Sequence, residues 1–297
     1  MGYDAAGIGD DDLALGKEFL LETSKKANFP FLCANLIDEG SGKPLFQPYL
    51  LKEINNLRIG IFGLISPDVF MGAMDPRRKG LILRPPVEVA QEMVKELQPK
   101  ADLIILLSHL GYPKDMELAQ AVSGIHLVVG SHTGMNLSYP PVTKNAVILQ
   151  AGSKGMFAAR FDLTLYGNEL SFYNIANRRS MESNLINIRN RLNTTGTPEA
   201  QKVQLRRTQE DIERRLGEFQ GKNEFNNVIV AFTDQMKDHP EVLKMVEAYK
   251  SKFPEAAPAP PTEAPSPKGG TPAQKGGGSA PKSGSATPKG GAPVPKK

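Results

Sequence analysis

The chain of 297 residues carries 36 Lys and Arg against 32 Asp and Glu, for a formal charge of +4, and by length alone would fill two average domains. Composition divides it unevenly: from Pro254 onward there is no aromatic residue and, Val294 apart, no aliphatic side chain larger than Ala. The six Lys of that stretch, set against Glu255 and Glu263, account for the whole excess charge, so residues 1–253 are near neutral, which speaks against a nucleic-acid-binding domain.

In chain order, a polar loop at Gly9–Gly16 precedes a helix expected over Leu13–Lys26 and a strand over Phe29–Leu36. Tyr49–Ile54 and Leu57–Ile65 read as a hairpin, because Asn55-Asn56 tolerates the left-handed geometry of a two-residue turn. Val87–Leu97 is an amphipathic helix opened by Pro85-Pro86, and Met116–Val122 is a short helix between two apolar strands. Val147–Gln150, Ala158–Tyr166 and Glu169–Ile175 follow as strands, the last two joined at Gly167-Asn168. This βαβ rhythm followed by antiparallel strands indicates an α/β fold, the later portion of a two-sheet sandwich.

From about Asn177 the character changes. Ser180–Leu192 and Pro198–Phe219 are rich in Arg, Glu, Gln and Leu at helical spacing, with Thr197 expected to cap and Pro198 to open the second helix. The expected domains are therefore 1–176 as the α/β unit, 177–253 as a helical or coiled-coil region, and 254–297 as a disordered tail. The helical pair either docks a protein partner or folds back on the sandwich. The tail's Lys268, Lys275, Lys282, Lys289 and Lys296 recur every seven residues in Gly- and Pro-rich units that exclude a helix. It reads as a cationic tether for an acidic surface or as a solvated spacer.

No segment has the 18 or so apolar residues that cross a bilayer, and the first 25 residues lack the layout of a signal peptide. Cys33, single and in an expected strand, reads as a small core residue. His239 falls at an expected helix start, and Arg77-Arg78-Lys79 reads as a solvated loop rather than a phosphate site.

The most informative strings are Ile104-Ile105-Leu106-Leu107-Ser108-His109-Leu110-Gly111 and Leu127-Val128-Val129-Gly130-Ser131-His132-Thr133-Gly134. Each sets a histidine where a buried strand ends, the position at which α/β sheets bind ligands, and imidazole is the commonest metal-binding side chain. The pair favours a metal site over two histidines satisfied by the backbone. His126, just before the second strand, reads as structural.

These strings resemble the metallophosphoesterase (calcineurin-like) domain of the 5′-nucleotidase family, over about residues 1–175. Asn28-Phe29-Pro30-Phe31-Leu32-Cys33-Ala34-Asn35-Leu36 is similar to that family's "FPxLxANL" strand. The resemblance implies that His109 corresponds to the metal-binding "SHLG" histidine and His132 to the first "GHTH" histidine, with Gly134 in place of the second. The "GNHEFDYG" loop maps to Gly9–Gly16, putting Asp10 at the metal-binding Asn position and Asp11 at that of the catalytic histidine. Asp10, His109 and His132 would then form one metal half-site.

The resemblance implies phosphate-ester hydrolysis with a divalent ion, zinc or manganese, and a phosphate ester or nucleotide as substrate; family members are usually exported to the periplasm. The family's "DxH" and "GD" motifs lie upstream of the matching region, so an N-terminally truncated domain is expected. With at most one half-site, the chain reads either as a weakened hydrolase or as a non-catalytic interaction protein on the same scaffold.

Overall fold

A computed structural model describes residues 2–72, 74–167 and 170–254. The expected tail, with its lysine repeat, lies outside the described residues. The first elements are strand β1 (Ala6–Gly7), helix α1 (Lys17–Ser24) and strands β2 (Phe31–Leu32) and β3 (Leu36–Asp38). Helix α1 starts later than the sequence pattern indicates because Gly16, at φ 85°, breaks the path from a single 3-10 turn at Asp11–Leu13. The expected strand over Phe29–Leu36 is split in two. Its middle turns the Asn35 side chain inward, where it accepts from Ile65 N at 3.0 Å and donates to Ile65 O at 2.7 Å, in place of ladder bonds.

The hairpin is present as expected: β4 (Tyr49–Ile54) pairs with β5 (Leu57–Ile65) through Asn55 and Asn56, at φ 51° and 65°. After β6 (Leu81–Leu83), which pairs with β3, come α2 (Pro86–Leu97), β7 (Leu103–His109), α3 (Tyr112–Ala121), β8 (Leu127–Gly130), β9 (Val142–Thr143) and β10 (Ala146–Leu149). One six-stranded sheet runs β4-β5-β7-β8-β10-β9, with β5, β7, β8 and β10 parallel and an antiparallel strand at each edge. Alternation assigns its faces. Phe62, Leu64, Ile104, Leu106, Val128 and Ile148 pack under α2 and α3, whereas Leu103, Leu127, Val147 and Leu149 meet Phe172 and Phe225 on the other side. Cys33 is fully buried, and burial pushes its thiol up to about 12, as suits a core residue.

That second side is covered by a three-stranded sheet of β11 (Phe157–Thr164), β12 (Phe172–Asn174) and β13 (Asn223–Ala231), in the order β11-β13-β12. Strand β13 corrects the expectation of a purely helical 177–253: it pairs antiparallel with β11 and parallel with β12. Parallel neighbours need a long crossover. Helices α4 (Ile175–Asn193) and α5 (Glu199–Glu218) are that crossover, packed together through Leu185, Ile188 and Ile212. The helical pair is thus part of the sandwich. Thr197 does not cap α5; its hydroxyl donates back to the carbonyls of Arg191 and Thr194.

The chain divides into two compact units, Met1–Met236 and Lys237–Lys297. The described part of the second is helix α6 (Pro240–Lys252), with His239 just before its first residue. No helix among the described residues is long and apolar enough to cross a membrane.

Candidate metal centre

Strands β7 and β8 are parallel neighbours in register, with Ser108 opposite Gly130, so their carboxyl ends deliver His109 and His132 side by side. The two rings lie edge to face with centroids 5.0 Å apart. The loop after β1 brings in Asp10. Ligand atoms of Asp10, His109 and His132 all lie within 4.8 Å of one another. The structure therefore assembles the three residues that the sequence nominates. Gly9 is part of the reason: a Cβ there would stand 2.9 Å from the His109 ring.

Hydrogen bonds fix the His109 tautomer. The Ser131 hydroxyl donates to Ser108 O at 2.8 Å, so its oxygen must accept from His109 Nδ1–H at 2.9 Å. Nε2 then faces Asp10 Oδ1, 2.9 Å away. A proton or a divalent cation lies between these two atoms, and an N–H to a neighbouring oxygen, as at Nδ1, is how proteins orient metal-binding histidines. The donor set of one carboxylate and two imidazoles suits a borderline divalent ion. Burial pushes the Asp10 carboxyl up, but the His109 and Arg77 hydrogen bonds outweigh it and hold the group below its usual range, so it is an anion at neutral pH.

The other positions are less engaged. The Asp11 side chain is 98 % exposed and meets the Arg77 guanidinium at 3.3 Å. Gly134 adopts φ 66°, and a Cβ there would lie 3.1 Å from Ser153 Cβ. His132 is exposed at φ 72°, in the left-handed region that non-glycine residues adopt at a cost of roughly 1–3 kcal/mol. His126 is structural as expected. Its Nδ1 accepts from Ile104 N at 2.8 Å, and burial lowers the imidazole to about 4.

Two groups escaped the sequence pattern. Arg77, expected in a solvated loop, donates from Nη1 to Asp10 Oδ2 at 2.5 Å and from Nε and Nη2 to the buried Asp75 at 3.0 and 2.8 Å. Nothing local marks this, since Asp10 is distant in sequence; the one signal is Asp75-Pro76-Arg77, where an Asp can grip the following Arg. Asp115, buried on α3, accepts from the Ser108 hydroxyl beneath the strand exits, and its second oxygen has no hydrogen-bond partner among the described residues. Burial raises that carboxyl to about 7. A cleft of about 450 Å³, lined by Gly7, Gly9, Asp10, Ser108, His109 and Gly130 among others, opens beside the cluster.

No family model matches the chain. Individual proteins do. A 5′-nucleotidase of Vibrio cholerae is 29% identical over 208 residues, covering 59% of this chain and 38% of that protein. Protein UshA of Escherichia coli is 27% identical over 205 residues, or 59% and 37% of the two chains. The metallophosphoesterase YunD of Bacillus subtilis is 27% identical over 218 residues, or 72% and 44%. Among solved structures, a 5′-nucleotidase precursor from Thermus thermophilus aligns with a TM-score of 0.50 at 29% identity, covering 57% of this chain and 37% of that one. The chain spans about two fifths of the length of these curated relatives. The chain is thus similar, over rather more than half of its length, to 5′-nucleotidases and metallophosphoesterases.

Proposed function

We propose that this relative of the 5′-nucleotidases is a metal-dependent phosphoesterase working from a single half-site formed by Asp10, His109 and His132. The observation that carries the reading is the convergence of those three ligand atoms within 4.8 Å at two adjacent strand exits. Zinc or manganese matches the donors, and phosphate esters, nucleotides among them, are the substrate class that the relatives' names support. A divalent ion held there supplies a Lewis acid for the phosphoryl group and makes water a better nucleophile at neutral pH.

The chain's own residues prepare that site. Ser131 keeps the His109 Nδ1 protonated and turns Nε2 toward Asp10. His109 and Arg77 hydrogen-bond the Asp10 carboxylate, and the cleft beside the cluster has room for a small ester. Asp11, where the family has its catalytic histidine, lacks the cationic form that would stabilise charge on a leaving group, so turnover is slow. The test is hydrolysis of p-nitrophenyl phosphate and of a nucleoside 5′-monophosphate by the full chain with added zinc or manganese. Turnover that needs the ion and disappears in H109A/H132A is expected. A chain that binds the ion and hydrolyses neither ester overturns the reading.

A further inference from the structure

Asp10 is a ligand already in use. Its Oδ1 faces His109, and its Oδ2 receives the Arg77 Nη1 at 2.5 Å with only 14% of the Asp10 side chain exposed. Arg77 is itself locked in place. Nε and Nη2 grip Asp75 in a fork, the Asp75 side chain is 1% exposed and also accepts from the backbone of Met71 and Arg77, and the guanidinium lies over Phe70 at 5.4 Å from the ring centre. A guanidinium held on one edge by a buried carboxylate offers its remaining edge in a fixed direction, and that direction is Asp10.

We propose that Arg77 is a positioning residue for the metal half-site: it reserves one oxygen of Asp10, leaves the other for a metal ion, and weakens divalent-ion binding by its own fixed charge. The inference rests on the half-site reading above. It follows from two physical facts. An oxygen that already accepts a short charge-assisted hydrogen bond is a poor second donor to a metal, so Asp10 offers one oxygen rather than two. A guanidinium cation beside a dication repels it, and within a partly buried site water screens that repulsion poorly. Arg77 therefore orders the ligand while lowering affinity, and its charge sets the balance.

Titration calorimetry of the full chain with zinc alone, and separately with manganese alone, tests this without any need for turnover. R77M removes the charge and frees Asp10 Oδ2; zinc binding at least tenfold tighter than in the native chain is expected. Because R77M leaves Asp75 buried without its partner, R77M/D75N serves as the variant that removes both charges together; there only the freed Asp10 Oδ2 contributes, and a smaller tightening in the same direction is expected. R77K, which keeps the charge, should stay within about threefold of the native affinity. Unchanged or weaker binding in both R77M and R77M/D75N, while the native chain binds zinc, overturns the proposal and leaves the half-site reading standing. Absence of ion binding in the native chain and every variant overturns both.

Discussion

The two strand exits that carry the centre look alike in sequence and differ in structure. At the end of β7, His109 is 20% exposed and held on both ring nitrogens, by Ser131 and by Asp10. At the end of β8, His132 is exposed, sits at φ 72°, and has no hydrogen bond to its ring among the described residues. One histidine is built in before any ion arrives, and the other is held in a strained backbone and completes the site only by contact with the ion. A motif places a residue at a strand end; its neighbours decide whether that residue is an anchor or a closing ligand.

That contrast can be broken most directly by removing each imidazole in turn. H109A should abolish measurable zinc binding, since it removes the imidazole that is already ordered beside Asp10, while H132A should weaken it by about tenfold, because His132 must be ordered on binding and so contributes less. Equal losses in calorimetry would show that the exits are equivalent. The entrance of β8 supplies a second comparison, in stability. His126 is lowered to about 4 from an ordinary 6.5, so the unfolded chain takes up its proton first. The stability it contributes is full above about pH 6.5 and is lost as pH falls toward 4, up to about 3 kcal/mol. Asp115, raised to about 7, acts with the opposite sign, destabilising increasingly as pH rises from about 4 to 7. H126N keeps an acceptor for Ile104 N and should flatten the acid limb in urea unfolding between pH 4 and 6.5; an unaltered limb would remove His126 from the account. The smallest effect concerns backbone strain. H132G should raise stability by roughly 1 kcal/mol at neutral pH while weakening zinc binding, and no gain in the urea midpoint would mean that the left-handed turn costs nothing there.

Much of this was legible in the sequence, for local reasons. The Asn55-Asn56 turn, the apolar runs of β5, β7 and β8 and the polar residues that end them are signals contained within each segment. Asp10 entered through its family position rather than through any pattern of its own. What escaped depends on distance along the chain. Arg77 reads as one of three basic loop residues until Asp75 grips it and Asp10 is brought to it. Strand β13 begins with Asn223-Glu224-Phe225-Asn226-Asn227, a poor strand signature, and gains its identity only between β11 and β12, elements far back in the sequence. Propensity yields there to pairing and to burial of Phe225.

The place of β13 also sets an order on assembly. During synthesis, β11 and β12 emerge well before the strand that must lie between them, and α4 and α5 must form before the pairing can close. Until then the second face of the main sheet, with Leu103, Leu127, Val147 and Leu149, lacks the cover that Phe225 provides. A contact of such long sequence separation forms late and slowly, and the uncovered face is the stage of the chain's life at which chaperone binding or aggregation competes with folding.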